Sequence, residues 1–138
     1  MAGTGRKSAL ALLIAGALVA GGSAQAKPKM TGEEQLAKAL EGRVAGDPVD
    51  CITLMSAGSS RIIDHTAIIY GFGNTIYVQK PKVGLDQLTN SDVLVTKLTG
   101  SQLCSIDTVQ LHDRTSGFWR GFLSLDKFVP YKRVPKAG

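Results

Sequence analysis

Residues 61–79 are the stretch that most limits what this chain can fold into. Their isoleucine, valine, threonine and tyrosine side chains are β-branched or aromatic, and such side chains fit a pleated, half-buried surface. Two glycines and an asparagine interrupt the apolar run within positions 71–74, as turn residues do between two strands. The stretch therefore predicts a β-hairpin, with one strand over 61–70 and a second over 75–79.

Four further runs have the same strand-like composition, and the turns between them are short. Because parallel neighbours need long crossover connections, short turns favour antiparallel pairing. Together with one N-terminal helix, the pattern predicts a mainly β fold at the α+β margin, an antiparallel curled sheet or small open barrel of about six strands. In the last run, Trp119, Leu123 and Leu125 are expected on one side of the strand. The runs cover residues 51–55, 93–98, 103–112 and 118–125.

A capping box marks the start of the predicted helix. Thr31 and Glu34 stand three residues apart, so that each side chain can accept a hydrogen bond from the backbone N–H of the other. Large apolar residues then recur every four positions, the spacing of one helical face, and Gly46 is a natural end. We expect a helix over 32–45 that packs on the sheet through Leu36, Leu40 and Val44.

The first 26 residues have the three-part pattern of a secretory signal peptide. Arg6 and Lys7 precede an uncharged apolar run of 12 residues over 9–20, and small residues follow up to Ala26. A helix needs about 20 residues to cross a bilayer, so a retained membrane anchor is the less favoured interpretation. Cleavage after Ala26 would leave 112 of the 138 residues and lower the formal charge from +5 to +3. The pattern predicts a periplasmic or secreted protein that does not span the membrane after cleavage.

Cys51 and Cys104 are the only cysteines in the sequence. In an exported domain an even cysteine count favours a disulfide, and a bridge of this span would contribute about 4 kcal/mol in chain-entropy terms. Two buried free thiols are the plain alternative. A catalytic or metal-binding role is less favoured, because neither cysteine belongs to a Cys-x-x-Cys motif or has a histidine close by in the sequence.

Three segments follow the predicted signal peptide. Residues 27–30 form a short polar extension, residues 31–131 form a single small β domain, and residues 132–138 form a basic C-terminal tail. A domain of this size has a modest core, so the disulfide and the few aromatic side chains matter more than they would in a larger one.

The calculated pI of 9.4 overstates how basic the folded part is. Residues 47–133 carry nine basic and eight acidic side chains, so the excess of basic residues lies towards the two ends. A nucleic-acid partner is therefore not predicted. Arg114, Trp119 and Arg120, beside Phe118, could form a small aromatic and cationic patch that binds an anionic envelope component.

Motifs for catalysis and cofactor binding are weak in this sequence. A hydrolase site would have to be assembled from His65, Asp64, His112 and Ser105. Neighbouring residues of a strand point to opposite faces, so Asp64 does not orient a His65 that lies within the predicted strand. Two histidines are also few for a zinc site, which takes three or four protein ligands. No catalytic residue, metal site or cofactor is therefore predicted.

A family resemblance is carried by four segments, residues 46–52, 61–70, 101–109 and 128–131. They resemble segments of small, uncharacterised exported proteins of Gram-negative bacteria, and the resemblance covers most of the chain after Ala26. It implies a periplasmic or secreted setting and a shared fold. It brings no assigned activity, so it implies no catalytic or binding residue.

Three function hypotheses follow. The favoured one is a non-enzymatic binding or structural module of the periplasm or extracellular space, whose partner is an envelope protein or an anionic envelope component. The second is a small hydrolase-type enzyme built from the distant histidine, aspartate and serine residues. The third is an inhibitor or chaperone-like envelope protein that presents a sheet edge or the loop over 80–92 to its partner.

Overall fold

The computed structural model describes residues 27–135, together with four isolated glycines that precede them. Apart from those glycines, the predicted signal peptide and its cleavage after Ala26 lie outside the described residues, as does the end of the predicted tail. Among the described residues, no helix is long and apolar enough to cross a membrane.

The described chain is mainly β and its strands pair antiparallel, as the sequence predicts. Among the described residues ten strands replace the six expected, because the predicted strands over 61–70 and 103–112 are each split by a turn and the strands Arg43–Ala45 and Phe128–Arg133 were not foreseen. In chain order the elements are α1 (Gly32–Ala39), β1 (Arg43–Ala45), β2 (Cys51–Thr53), α2 (Leu54–Ala57), β3 (Ser60–Ile63), β4 (Ala67–Tyr70), β5 (Thr75–Gln79), a 3₁₀ turn (Leu85–Gln87), β6 (Asp92–Thr96), β7 (Gln102–Cys104), β8 (Thr108–Asp113), β9 (Trp119–Ser124) and β10 (Phe128–Arg133).

The strands form three sheets that do not close into a barrel within the described part of the chain. A five-stranded sheet has the order β1-β10-β5-β4-β3, a three-stranded sheet has the order β6-β8-β9, and β2 pairs with β7. Helix α1 covers one face of the five-stranded sheet, and the two smaller sheets pack against its other face. The five-stranded sheet is therefore the central layer.

Two cores lie on either side of this central layer. The larger one fills the space between the sheets, where Tyr70 and Phe128 meet edge to face with ring centroids 5.9 Å apart. The smaller one lies under α1, where Leu36 packs on β-branched side chains of the sheet. Alternation along β4 and β5 assigns successive residues to opposite cores. The small core contains Leu36, Ile63, Ala67, Ile69, Ile76 and Val78.

Helix α1 starts at the predicted capping box and ends earlier than predicted. The Thr31 hydroxyl accepts from the Glu34 N–H, and the Glu34 carboxylate accepts from the Thr31 N–H. The prediction of a helix to residue 45 is wrong. Gly42 takes a left-handed conformation with φ of +72°, and Arg43–Ala45 instead pairs with β10. Pairing with a neighbouring strand outweighs the four-residue apolar spacing that had placed Val44 on the helix.

The stretch over 61–79 contains three strands, not two. The predicted reversal at residues 71–74 is confirmed, because β4 and β5 pair antiparallel across it. The prediction of one continuous strand over 61–70 is wrong, since a tight turn separates β3 from β4. His65 lies in that turn with φ of +54°, and the Thr66 hydroxyl stabilises it by donating to the Asp64 carbonyl at 2.8 Å.

The predicted basic tail begins too early. Lys132 and Arg133 belong to β10 and pair with β1, and the Arg133 N–H donates to the Asn74 carbonyl at 2.9 Å. The domain therefore extends to Arg133.

The predicted disulfide between Cys51 and Cys104 is confirmed. The two residues stand directly opposite each other in the β2–β7 pair, with Cα atoms 4.0 Å apart. Next to them, Ile52 and Leu103 are buried in the large core. The bridge thus joins the two strands of this small sheet, which packs over one side of that core.

Candidate functional site

The outer face of the three-stranded sheet, which turns away from the large core, carries apolar and aromatic side chains. Strand register places four of them in two cross-strand rows with the polar residues Gln110 and His112 between them, and we call these six residues the aromatic face. Side chains directly opposite each other in an antiparallel pair lie on the same face and within contact range. The first row is Val93, His112 and Trp119, and the second is Val95, Gln110 and Phe122.

The rings of the aromatic face are open to solvent. Trp119 is 60% exposed and Phe122 is 46% exposed, and the neighbouring Phe118, which precedes β9 and is not part of the aromatic face, is 75% exposed. At about 150–250 Å² for each aromatic side chain, these three rings expose roughly 350 Å². A patch of about 300–600 Å² on a single protein is often functional. None of the six residues of the aromatic face is charged.

A β-bulge in β9 turns Trp119 outward. Leu111 pairs with Gly121 and its neighbour His112 pairs with Trp119, so that Arg120 is an extra residue between them. The prediction that Trp119 and Leu123 share one side is therefore wrong, because the bulge reverses the alternation. A Cβ atom at Gly121 would overlap the side-chain oxygen of Gln87, so a larger residue at the bulge would require that flexible side chain to move.

Asp92, the first residue of β6, is a buried charge beneath this end of the sheet. Its side chain has no exposed surface. Its Oδ2 accepts hydrogen bonds from the Thr89 N–H at 2.9 Å and the Thr89 hydroxyl at 3.2 Å, and its Oδ1 accepts from Arg120 in an ion pair. Both oxygens are thus satisfied, as a buried carboxylate requires. Sequence reasoning missed this residue, although the Thr-x-x-Asp spacing is a signal for such a turn.

The structure separates the three residues of the predicted patch. Arg120 reaches Asp92 on the inner side, and Arg114 donates from Nη2 to the Asp92 carbonyl at 3.2 Å. Trp119 lies on the outer face, because it pairs with His112. Neither guanidinium group therefore joins Trp119 on the outer face, since Arg120 is paired with the Asp92 carboxylate and Arg114 is bonded through one nitrogen to the Asp92 carbonyl.

The turn between β8 and β9 presents the exposed rings. Asp113 caps it, with its Oδ1 accepting from the Ser116 N–H at 2.7 Å, the Ser116 hydroxyl at 3.0 Å and the Thr115 N–H at 3.0 Å. The hydrogen bonds from Ser116 lower the pKa of the Asp113 carboxyl below its ordinary value. The turn is thereby fixed, and the start of β9 with it.

His112 lies in the middle strand of the aromatic face. One ring nitrogen, Nδ1, is 3.0 Å from the Gly117 carbonyl, and the other, Nε2, is 3.2 Å from the side-chain oxygen of Gln110. Both ring nitrogens are thus bonded within the β8–β9 hairpin. The ring supplies a polar edge between the apolar side chains of the outer strands.

The four residues proposed for a hydrolase site are not assembled. No hydrogen bond among residues 27–135 joins any two of them, and each contacts a different part of the protein. The Asp64 carboxylate accepts from the Asn90 N–H at 2.6 Å, the His65 ring is exposed in its turn, and the Ser105 hydroxyl donates to Asp50 at 3.5 Å. Over the same range, no three His, Cys, Asp or Glu side chains are grouped so that they could hold a metal ion.

Comparison of the chain with protein-family models, curated proteins and solved structures found no match. The aromatic face, with its buried Asp92 support, is the candidate functional site on geometric grounds alone.

Proposed function

We propose that the protein is a non-enzymatic binding module of the periplasm or extracellular space, and that a partner protein docks on the aromatic face. The single observation that carries this proposal is the exposure of Trp119 and Phe122, with Val93 and Val95, on a sheet face where polar residues are expected. A sheet with one solvated face normally alternates apolar inward and polar outward.

A protein partner suits this surface better than an anionic one. Binding sites for lipid headgroups or acidic glycans need cationic groups that are free to approach the ligand. No cationic side chain belongs to the aromatic face, since Arg120 is paired with Asp92 and Arg114 lines a cleft beside Asp92. Aromatic rings surrounded by neutral polar groups are instead typical of the centre of a protein–protein interface.

The exported setting is part of the proposal. The Cys51–Cys104 disulfide is the kind of bond that persists in an oxidising compartment, and the sequence of residues 1–26 has the signal-peptide pattern. Both observations support a partner within the cell envelope or outside the cell.

The test compares three forms of the protein in a capture experiment from a Gram-negative envelope extract, with bound proteins quantified by mass spectrometry. The forms are the wild type, the Trp119→Ser/Phe122→Ser double variant and the matched control Phe72→Ser, whose ring is 74% exposed on the β4–β5 turn. We expect one protein to bind the wild type and the control equally. Truncated interface anchors typically cost 2 kcal/mol or more, so the double variant should bind the purified partner about 30-fold more weakly.

Two outcomes would contradict the proposal. One is a set of captured proteins that does not change when both rings are removed. The other is binding of the wild type, dependent on the same two rings, to vesicles of phosphatidylglycerol and phosphatidylethanolamine, which would assign the face to a lipid surface. Thermal unfolding of all three forms verifies that the substitutions leave the fold intact.

A further inference from the structure

A groove runs between the free edges of the two larger sheets. Within residues 27–135, β3 ends the five-stranded sheet and pairs only with β4, and β6 ends the three-stranded sheet and pairs only with β8. Two adjoining clefts of about 310 Å³ each lie between these edges, and both are lined by Gly58, Ser60 and Leu94. We call the two clefts together the edge groove.

The edge groove is bounded by hydrogen bonds at one end and by α2 at the other. At one end, the turn after β3 is tied to the segment before β6, since the His65 N–H donates to the Leu88 carbonyl at 2.8 Å and the Asn90 N–H donates to Asp64 at 2.6 Å. At the other end, Leu54 and Ala57 of α2 line the cleft. No backbone hydrogen bond joins β3 to β6 within residues 27–135.

The edge groove has the groups that recognise an extended peptide. An edge strand presents unpaired N–H and C=O groups, which can pair with an added strand. The lining also supplies apolar side chains for the alternate residues of such a strand. These apolar side chains are Tyr70, Leu94, Leu98 and Leu103 in one cleft and Ile62 and Leu94 in the other.

The charged side chains lie at one end of the edge groove, and their position predicts the direction in which a bound peptide would run. Arg114 lines the cleft at the Asp92 end, and its Nε and Nη1 atoms make no hydrogen bond to the described part of the chain. Asp92, the one carboxylate in the lining, is buried and already bound by Arg120. This end therefore favours a negative group, and a C-terminal carboxylate placed there makes the peptide run antiparallel to β6.

We propose that the edge groove binds the extended C-terminal segment of another protein, which adds to β6 as an antiparallel strand and places its carboxylate at Arg114. This proposal does not depend on the aromatic face, and it uses the opposite edge of β6 from the one paired with β8. Strand addition gives affinity through the main chain, and the apolar lining selects the alternate side chains.

The test uses a fluorescein-labelled heptapeptide of alternating valine and threonine with a free C-terminal carboxylate, measured by fluorescence anisotropy. Two control peptides have the same side chains: one is amidated at its C-terminus, and the other is N-methylated at alternate backbone nitrogens. We expect N-methylation to weaken binding about tenfold or more, because it removes main-chain hydrogen bonds. Amidation should weaken binding about tenfold through loss of the charge-assisted contact.

Protein variants locate the site. Ser60→Trp places a large side chain in the shared part of the edge groove and should abolish binding, while Arg114→Gln should remove the difference between the free and amidated peptides. The Trp119→Ser/Phe122→Ser variant should bind like the wild type, so failure here is distinct from failure of the proposed function. Backbone amide shifts in NMR spectra should cluster on β3 and β6.

Three results would overturn the proposal. They are no binding at millimolar peptide, equal binding of the N-methylated peptide, and amide shifts confined to β9. Formation of a dimer that is lost in Ser60→Trp would also overturn it, because a second copy of the chain would then be the occupant. Unfolding curves for each variant separate loss of the groove from loss of the fold.

Discussion

The five-stranded and three-stranded sheets differ in how many of their faces are covered. All four residues of β4 are buried, because α1 covers one face and the smaller sheets cover the other. In β8 buried residues alternate with more exposed ones, because only the inner face is covered. Folding therefore fixes an apolar residue at every position of β4, whereas the outer face of the three-stranded sheet is free to be polar. That it carries Trp119 and Phe122 is not explained by the core.

Two phenylalanines, one in the covered region and one in the uncovered region, give the clearest test of this difference. Phe128 is fully buried between the sheets, and Phe118 is exposed beside the aromatic face. We expect Phe128→Ala to lower the free energy of unfolding by about 3–5 kcal/mol, through lost burial and a cavity. Phe118→Ala should change it by less than about 0.5 kcal/mol. Urea unfolding followed by Trp119 fluorescence or circular dichroism measures both, and similar costs for the two would break the distinction between the regions.

The disulfide tests how much a cross-link within the two-stranded sheet contributes to the stability of the fold. Replacing Cys51 and Cys104 by alanine removes a cross-link over 53 residues, and we expect a loss of about 4 kcal/mol. Unfolding of the double variant and of the oxidised wild type in the same buffer gives the difference. A cost below about 1 kcal/mol would mean that packing alone fastens the two-stranded sheet to the large core.

Substitution of Asp92 tests whether the stability of the three-stranded sheet depends on a buried charge. Asp92→Ala removes the carboxylate that binds Thr89 and Arg120. Because Arg120 keeps some exposure and can reach water, the expected loss is about 2–3 kcal/mol, below the usual cost of breaking a buried pair. The matched control is Asp47→Ala, at an exposed aspartate. A double-mutant cycle with Arg120→Ala measures the coupling, and additive effects would show that the pair is unimportant.

The smallest effects should be seen in the pH dependence of stability, with opposite signs for the two regions. Hydrogen bonds from Ser116 depress the pKa of Asp113 in the folded state, so its contribution is present above the unfolded value of about 4 and is lost as pH falls through the folded pKa. Burial raises the pKa of Tyr70, so stability is lost as pH rises above about 10.

Two variants test which residue causes the loss of stability at acid pH and which causes the loss at alkaline pH. Asp113→Asn should flatten the acid side of a plot of unfolding free energy against pH, and Tyr70→Phe should flatten the alkaline side. An unchanged alkaline side in Tyr70→Phe would show that burial at this position does not control ionisation.

Much of the fold was predictable from local patterns. The capping box located the start of α1, the glycines near residue 71 located the β4–β5 reversal, and the even cysteine count gave the disulfide. These features act over a few residues or through covalent chemistry. The helix end at Ala39 was missed because β1 gains its stability from β10, some ninety residues away in the chain, and no local pattern reports that pairing.

The candidate site was less predictable. Trp119 was named for a binding patch but was placed on the same side of the strand as Leu123, and the arginines beside it were not recognised as partners of Asp92. The extra residue Arg120 in β9 is the reason, because a bulge exchanges the side chains that lie on the two faces of a strand. Val93, Val95 and Phe122 were missed because an apolar residue on an uncovered face has the same sequence signal as one in a core.

The sequence by itself determined that the chain is mainly β, antiparallel and cross-linked once, since side-chain shape, turn residues and cysteine count act locally. Only the tertiary structure decided which sheet faces are covered, where Asp92 is buried and which strand edges stay free. Those outcomes depend on contacts between residues far apart in the chain, and local side-chain preferences do not specify such contacts.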